Sequence, residues 1–485
     1  MLPDDLNAAI DADRSRDAGA LFTDIVARYF EQTSRGDGPV SPSAGHVGRR
    51  ATFDDAMPRD GQPLADVVAR IEREFLGGAN RLSHPMYMGH QVAAPLPAAV
   101  WTEAVIAALN NSVAVMEMSP TGTAVEERVI RWMCDLAGFG ERSGGALTSG
   151  GLEATHTALL AARAAIAPDA WKRGLTGPPP VIICGEHAHY AIARAAGELG
   201  LGTDHVRLVP STHFKMDVAA LNATFDAIKA EGRRVMAVVA TAGHTATGSF
   251  DDLEAIGALC GERAIWLHVD GAHGASALFS ATHAHRLRGI GRARTVTWDP
   301  HKMMLLPLAA GALIARDERD LTAAFSQQAP YLFHGAEGTR SADQGTRSFM
   351  CSRRVDALKV WVALQRYGAS GIGALYDHLC ALATALHRMI AERPDFAALH
   401  APESNILCFR WLPAGVHDEP TLDWLNLRLR ERYNASGRGW ITSTVLEGRR
   451  VLRVTMMNPR TQESHVAELL DGLAAEGAGL LAEPA

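Results

Sequence analysis

The sequence predicts an α/β protein with a mainly parallel β-sheet, and two observations lead to that fold class. From about residue 98 to residue 315, short apolar runs rich in β-branched residues alternate with amphipathic segments. Each apolar run also ends in polar or glycine residues. Alternation of this kind is typical of parallel sheets flanked by helices, in which ligands bind beyond the carboxyl ends of the strands. The polar residues that follow the runs are therefore the first candidates for chemistry.

The N-terminal segment, residues 1–80, has a helical pattern. Apolar residues recur at helical spacing in residues 19–33 and 64–77. The Gly/Pro/Ser-rich stretch RGDGPVSPSAG between them predicts an exposed linker. Because so short a segment cannot hold a core of its own, we expect it to pack on another body, such as a partner subunit.

A large domain is predicted over residues 81–348 and a smaller one over residues 349–485. In the large domain the apolar runs predict strands at 180–185, 233–243, 264–270 and 293–299, with helices at 219–232 and 252–262. In the smaller domain a helix beginning near Arg353 precedes strand patterns at 405–412 and 449–458 and a closing helix at 462–475. The second pattern predicts an α+β domain.

The composition excludes several classes of protein. Of the 485 residues, 47% are apolar and 21% are charged, which is ordinary for a globular chain of two or three packed units. The net charge of -7 offers no basic surface to nucleic acid or to a membrane, and no apolar run approaches the roughly 20 residues that span a bilayer. Six cysteines without a CxxC pair argue against a disulfide framework or a structural zinc site. With no signal-peptide pattern at the N-terminus, we expect a cytoplasmic protein.

The segment TSGGLEATHTALLAAR places Gly150 and Gly151 directly before a helical stretch. Glycines at that point let backbone N–H groups approach a ligand, and a helix N-terminus favours an anion. A plain glycine turn before a helix has the same pattern. The segment alone leaves both interpretations open.

The segment AIWLHVDGAHG ends an apolar run with Asp270. A carboxylate at a strand end can pair with a protonated ring nitrogen, and Ala272 leaves room for a flat ring. A metal site formed by His268, Asp270 and His273 is the alternative, because strand alternation puts the first two side chains on one face. This would make the protein a metal-dependent hydrolase.

The segment TVTWDPHKMMLLP puts His301 and Lys302 just after another strand pattern, with an apolar run behind them. A lysine in that setting is suited to imine formation, although most lysines are simply surface residues. An anion seat, a carboxylate and an imine-forming lysine are the three contributions that pyridoxal 5′-phosphate (PLP) needs from a protein. The metal-dependent hydrolase leaves Lys302 and the glycine turn unexplained.

Several motifs together give the chain a family resemblance. They are HPMYMGH, SPTGTAVEERVIRWM, TSGGLEAT, EHAHYAIARAAGELGLG, ATAGHTATGSFD, HVDGAHG, WDPHK and SRRVDALKVW. From about Leu82 to the C-terminus the sequence resembles the group II PLP-dependent amino acid decarboxylases, which include the aromatic amino acid, glutamate and diaminobutyrate decarboxylases. The resemblance implies the aspartate aminotransferase fold (fold type I), decarboxylation of an L-amino acid, and a homodimer with active sites at the interface.

The resemblance also implies roles for individual residues. Lys302 matches the lysine that forms a Schiff base with the cofactor, Asp270 the partner of the pyridine nitrogen, and His189 the histidine stacked on the ring. The other matches are Ala272 on the opposite face, Gly150, Gly151 and His301 at the phosphate, Thr245 beside the cofactor, His90 along the substrate side chain, and Arg453 at a substrate carboxylate.

The sequence departs from the family pattern at three places. Leu152 stands where a hydroxyl residue is usual, and His244 where threonine is common. The loop at 334–348 lacks the tyrosine that reprotonates the α-carbon in many members, although Tyr331 lies just before it. This keeps a PLP-dependent carbon–carbon lyase or a decarboxylating oxidase as alternatives to simple decarboxylation. Since Ala93 departs from the aromatic-specific pattern, we expect a substrate with a polar side chain.

Overall fold

The computed structural model describes residues 2–42, 50, 52–325, 333 and 341–482 of the chain. They form two compact units. The first unit takes in the chain up to His90, the stretch Arg388–Ala397, and the chain from Phe409 onward. The second unit comprises Gln91–His387 and Ala398–Cys408. The predicted domain boundaries after residues 80 and 348, and the packing of residues 1–80 on a partner subunit, stay predictions.

The helices and strands of the described residues alternate along much of the chain. The helices are α1 Asp4–Asp13, α2 Arg16–Ser34, α3 Leu64–Arg70, α4 Pro97–Leu109, α5 Pro120–Leu136, α6 Gly151–Ile166, α7 Ala170–Arg173, α8 Ala191–Glu198, α9 Val218–Ala230, α10 Leu253–Glu262, α11 Arg319–Ala324, α12 Ala357–Ala391, α13 Glu419–Ala435 and α14 Glu463–Ala482. The strands are β1 Gly144–Thr148, β2 Val181–Gly185, β3 Val206–Val209, β4 Ser211–Thr212, β5 Lys215–Met216, β6 Val235–Thr241, β7 Trp266–Asp270, β8 Thr295–Trp298, β9 Gly311–Ala315, β10 Phe396–Ala398, β11 Ile406–Trp411, β12 Thr442–Leu446 and β13 Arg449–Thr455. A π-helical turn, Ile71–Leu76, continues α3, and α12 is kinked at Gly368.

A seven-stranded sheet forms the centre of the second unit. Its strand order is β1-β9-β8-β7-β6-β2-β3, with β9 antiparallel to both neighbours and the other pairs parallel. The carboxyl ends of β1, β8, β7, β6 and β2 therefore meet at one edge of the sheet. The predicted fold class, α/β with a mainly parallel sheet, is confirmed.

Local chemistry explains where the elements around the sheet begin. Asp217 Oδ1 accepts the Ala220 N–H at the start of α9 (2.9 Å), and Asp252 Oδ1 accepts the Ala255 N–H at the start of α10 (3.0 Å). Both caps satisfy N–H groups that the first helical turn leaves free. Helix α6 packs on the sheet with small side chains, and Ala154 and Ala158 are completely buried.

The first unit contains most of a four-stranded sheet with the order β10-β11-β13-β12. Strands β12 and β13 pair as an antiparallel hairpin, and the segment before His90 lies beside them. The Met88 N–H donates to Trp440 O (2.9 Å), and the Thr455 N–H donates to Met88 O (3.1 Å). The small C-terminal sheet agrees with the predicted α+β pattern. Among the described residues, no helix has the length and apolar character needed to cross a membrane.

Candidate active site

A cavity of about 360 Å³ lies at the carboxyl ends of the parallel strands in the second unit. All eight residues assigned to the catalytic and cofactor groups line it: Gly150, Gly151, His189, Thr245, Asp270, Ala272, His301 and Lys302. They lie at the ends of five strands, β1, β2, β6, β7 and β8, or in the turns that follow them. The sheet topology thus brings together residues that are up to about 150 positions apart in the chain.

The glycine turn between β1 and α6 forms one end of the cavity. No side chain caps α6, so the N–H groups of its first turn are open to a ligand. A Cβ atom on Gly151 would lie 2.9 Å from Asp299 Oδ2 and 3.0 Å from Ala272 Cβ, and one on Gly150 would lie 3.3 Å from His301 Cε1. The close packing accounts for both glycines, and open N–H groups at a helix N-terminus suit a phosphate.

A buried ion pair fixes β1 just before this turn. Leu147 donates its N–H to Glu126 Oε1 (2.9 Å) and accepts a hydrogen bond from Arg353 Nη2 (2.8 Å). Arg353 also pairs with Glu126, and both side chains are almost completely buried. The contacts of Glu126 with the Leu147 N–H and of Arg353 with the Leu147 carbonyl hold β1, and with it the glycine turn that follows, in place.

Lys302 lines the cavity, and its Nζ contacts a carboxylate that we did not predict as a site residue. Its Nζ is 3.0 Å from Asp299 Oδ2, and Asp299 is 1% exposed. His301 Nδ1 accepts the Ala310 N–H (3.3 Å), while its Nε2 lies 3.6 Å from Asp299 Oδ2. Burial lowers the pKa of His301, so its ring is neutral near pH 7 and its Nε2–H is available to an acceptor.

Asp270 and His189 also line the cavity. Asp270 is buried at the end of β7, and its Oδ1 accepts the Ala272 N–H (3.2 Å). His189 Nδ1 accepts the Ala191 N–H (3.2 Å), which leaves the ring proton on Nε2. Burial lowers the pKa of His189 as well. A neutral imidazole and the small Ala272 side chain suit the two faces of an aromatic ring.

The alternative metal site is wrong. His268 is completely buried, and its Nδ1 and Nε2 lie 3.0 Å and 3.3 Å from the hydroxyls of Thr295 and Thr297. Burial lowers its pKa to about 4. His273 Nε2 is instead 2.7 Å from Asn405 Oδ1. Both histidines therefore contact neutral polar side chains. Within the described ranges, no three His, Cys, Asp or Glu side chains are placed to hold a metal ion.

The residues of the cavity fit PLP. Asp299 Oδ1, Glu153 Oε1 and Thr241 Oγ1 are buried, and none of them has a hydrogen-bond partner among the described residues. Buried polar atoms of this kind are normally satisfied, so they indicate a polar ligand. Lys302 would carry the cofactor, Asp270 would meet its ring nitrogen, and the glycine turn with His301 would hold its phosphate.

Ser149, Glu153 and Thr241 are among the lining residues that, like Asp299, were not predicted from the sequence. The Ser149 N–H and hydroxyl donate to Glu153 Oε2 at 2.8 Å and 2.7 Å, and Thr241 ends β6. Asp299 directly follows β8, so the rule that polar residues after strands carry chemistry would have found it. Serine and glutamate four residues apart at a helix start were the available signal for the Ser149–Glu153 pair.

Two predicted site residues, His90 and Arg453, are not among the residues that line this cavity. His90 and Arg453 belong to the first unit, where Arg453 is buried on β13. Leu152 lines the cavity, and His244 lies behind Thr245. Tyr331 and residues 334–340 of the tyrosine-free loop lie outside the described residues, whereas the 3₁₀ turn Gln344–Thr346 is described.

Comparison with known proteins identifies the family. The family model "Pyridoxal-dependent decarboxylase conserved domain" matches residues 48–412. L-2,4-diaminobutyrate decarboxylase of Rhizobium meliloti is 34% identical over 88% of this chain and 85% of its own length. Human cysteine sulfinic acid decarboxylase is 35% identical, covering 75% of this chain and 74% of its own.

A solved structure gives the same result for the fold. The crystal structure of mouse CSAD superposes with a TM-score of 0.89 and 28% identity, covering 96% of this chain and 99% of that one. The strand-end cavity, its lysine and its glycine turn thus occur in a chain whose sequence and fold both match enzymes that remove carbon dioxide from amino acids. The chain belongs to the pyridoxal-dependent decarboxylase family and is a PLP-dependent amino acid carboxy-lyase.

Proposed function

We propose that this enzyme decarboxylates an L-amino acid whose side chain carries an acidic group. The supporting observation is a cationic cluster in the first unit, formed by Arg430 and Arg453 beside His90. Desolvation lowers the pKa of His90, and the positive charges of Arg453 and Arg430 lower it further. The resemblance to the family assigns His90 and Arg453 to the substrate, and the cluster adds Arg430.

The local structure of the first unit explains why these three side chains lie together. Hydrogen bonds of Met88 to Trp440 and Thr455 hold the segment before His90 along the sheet that carries Arg453. Arg430 on α13 stacks over the Trp440 ring (5.5 Å) and donates to Ile441 O (3.3 Å). Two guanidinium groups attract a carboxylate or sulfinate and repel a second ammonium group. The cluster therefore favours acidic substrates, such as the one named for the human relative, over 2,4-diaminobutyrate.

We further propose how the residues of the second unit divide the chemistry. When bound, PLP supplies an electron sink for the pair left on the α-carbon as carbon dioxide departs. The Asp270 carboxylate would hold a proton on the ring nitrogen, which this sink requires. Asp299 would receive the Lys302 ammonium whenever the lysine is not attached to the cofactor. The neutral His189 ring covers the site on one face and keeps its Nε2–H for hydrogen bonding.

The substrate proposal is tested by measuring kcat/KM for carbon dioxide release. The panel comprises L-aspartate, L-glutamate and L-cysteine sulfinate on one side, and L-2,4-diaminobutyrate and L-tyrosine on the other. We expect kcat/KM for an acidic substrate to exceed that for the others by at least about 100-fold. Placing a second substrate ammonium beside the two arginines would cost free energy, because like charges repel. A preference for diaminobutyrate would contradict the proposal. Ammonia and peroxide measured in the same assays test the oxidase suggested by the tyrosine-free loop, and amine as the sole organic product excludes it.

A homodimer is proposed on the basis of an apolar surface of α4. Trp101, Val105 and Leu109 lie one helical turn apart and are 39%, 51% and 58% exposed. Met116 and Met118, just after the helix, are also exposed. Such a continuous apolar surface is typical of a subunit interface. Sedimentation of the wild type and of Val105→Asp tests it: a dimer that Val105→Asp dissociates supports the proposal, and a monomeric wild type contradicts it.

The cytoplasmic location is proposed from the state of the cysteines. All six are free thiols in the structure, and five of them are buried. Burial raises the pKa of Cys134 to about 11 and that of Cys184 to about 12, so both stay protonated and unreactive. Free thiols of this kind suit a reducing compartment. Fractionation of the source cells would test the location.

A further inference from the structure

His244, the residue that replaces the common threonine of the family, is buried behind the cavity with acceptors at both ring nitrogens. Its Nε2 lies 3.0 Å from Asp251 Oδ1 and its Nδ1 lies 3.3 Å from His187 O. The side chain is 1% exposed, so water does not replace either contact. A neutral imidazole has a single N–H and would turn one lone pair toward an oxygen. Only the imidazolium form donates to both acceptors.

Asp251 is built to hold that charge. Besides His244, its Oδ1 accepts the Met216 N–H and its Oδ2 accepts the Thr241 N–H, both at 2.7 Å. Burial alone would raise the pKa of Asp251, but the His244 charge and these hydrogen bonds outweigh burial and lower it. Burial alone would lower the pKa of His244, but Asp251 outweighs it and raises the pKa. Both directions favour the ion pair.

The pair connects two loops that carry cavity residues. Gly243 and His244 donate their N–H groups to Ser249 O at 3.0 Å and 2.9 Å, which fixes His244 in the loop that presents Thr245. His187 belongs to the loop between β2 and α8, two residues before His189. The His244 ring therefore joins the loop of Thr245 to the loop of His189.

We propose that His244 is a positioning residue whose imidazolium holds the loops of His189 and Thr245 in place against the cofactor ring. A threonine side chain at this position has a single O–H donor and no charge for Asp251. Cofactor retention in this chain therefore depends on a buried positive charge. The inference goes beyond the proposed function, because it concerns the retention of PLP and holds for any substrate.

The charge makes retention dependent on pH. The titratable groups that face the pair are Asp270, whose charge also supports the imidazolium, and the Cys184 thiol, whose pKa burial and Asp251 raise to about 12. Because the pKa of folded His244 lies above its ordinary value of 6.5, its contribution is complete below that pH and disappears as the pH rises through the raised pKa. Asp251 contributes above its ordinary value of 3.8 and fails as the pH falls through its lowered pKa. We expect retention to weaken on the alkaline side.

The first test measures the rate at which the holoenzyme releases PLP into a scavenger, followed by absorbance between pH 6.5 and 9.5. His244→Thr is expected to release PLP about tenfold faster at pH 7, since a buried charged contact is lost. Its rate should stay constant where the wild-type rate rises with pH. His244→Gln, with one donor restored, should lie between them, and the exposed His285→Thr should behave as wild type. Equal rates and equal pH profiles for His244→Thr and the wild type would overturn the proposal.

The second test reads the protonation state itself and requires no change in activity. Holoenzyme labelled with ¹⁵N-histidine is compared by NMR with the His244→Gln protein, which assigns the His244 signal by its absence. We expect both ring nitrogens of that signal to show the imidazolium pattern at pH 7, and Asp251→Asn to convert it to the neutral pattern. A neutral pattern for His244 at pH 7 in the wild type would overturn the proposal, whether or not His244→Thr folds.

Discussion

The two units differ in the charged side chains that lie near their proposed functional residues. In the second unit, Lys302 in the cavity lies 3.0 Å from Asp299, and His244 behind the cavity lies 3.0 Å from Asp251. In the first unit, desolvation lowers the pKa of His90, and the positive charges of Arg453 and Arg430 lower it further. Buried ion pairs suit a site that keeps its cofactor, whereas two neighbouring guanidinium groups attract an anion that enters and leaves. Variants of the second unit should therefore impair every substrate alike, and variants of the first unit should change which substrate is preferred.

The largest expected effect is that of Lys302→Ala. The variant removes the amine that carries the cofactor, and we expect carbon dioxide release to fall by about 10⁴-fold for all substrates. Borohydride followed by peptide mapping should fix PLP to Lys302 in the wild type and nowhere in the variant. Lys172→Ala, at an exposed lysine outside the cavity, is the matched control. If borohydride fixed the cofactor to another lysine, the assignment of the whole strand-end site would fail.

The sheet topology explains why the sequence could predict which residues lie together in the cavity. Once parallel strands are expected, residues that follow them, such as Asp270 and Lys302, must meet at one edge. The glycine turn alone left two interpretations open, and it pointed to a ligand only together with Asp270 and Lys302. The sequence could not predict which side chains the site residues contact. The contact of Asp299 with Lys302 and that of His244 with Asp251 depend on side-chain packing after the strands are in place.

Some elements of the fold were also missed, for a related reason. Strands β1 (GGALT) and β9 (GALIA) are rich in glycine and alanine, which have low strand propensity, and they are strands because the sheet buries them. The predicted strand at 233–243 ends at Thr241, because Gly243 takes a positive φ of 87° in the turn that follows. The helix predicted to begin near Arg353 begins at Ala357, and Arg353 instead donates a hydrogen bond to Leu147 O on β1. Tertiary contacts decide such cases.

The next effect, Gly151→Ala, tests the packing around the glycine turn. The added Cβ would lie 2.9 Å from Asp299 Oδ2, so the carboxylate beside Lys302 has to shift. Overpacking of this kind costs about 1–3 kcal/mol, which corresponds to a loss of PLP affinity of about 10- to 100-fold. Titration of the apoenzyme with PLP measures it. Gly261→Ala is the control, because its Cβ would meet nothing within 4 Å. Unchanged affinity in Gly151→Ala would show that the turn does not hold the cofactor.

A smaller and selective effect is expected for Arg453→Gln in the first unit. The loss of one guanidinium should reduce kcat/KM for acidic substrates by about tenfold, because charge-assisted contacts are lost. PLP affinity should stay within about twofold of the wild-type value. Arg449→Gln, an exposed residue on the same strand, is the matched control. An equal loss for acidic and neutral substrates would remove the distinction between the two units.

The smallest expected effect is that of His90→Gln, and its pH dependence is its most informative property. Because desolvation and the charges of Arg453 and Arg430 lower the pKa of His90, the ring is already neutral above its ordinary value of 6.5. Glutamine is also neutral, so kcat/KM at pH 7.5 should change by less than about threefold. Removing the Arg453 charge should raise the His90 pKa, so in Arg453→Gln the ring should gain its proton at higher pH than in the wild type. Titration of the His90 NMR signal in both proteins measures this shift. An unshifted pKa would mean that Arg453 does not act on His90, and the cationic cluster would then no longer support an acidic substrate.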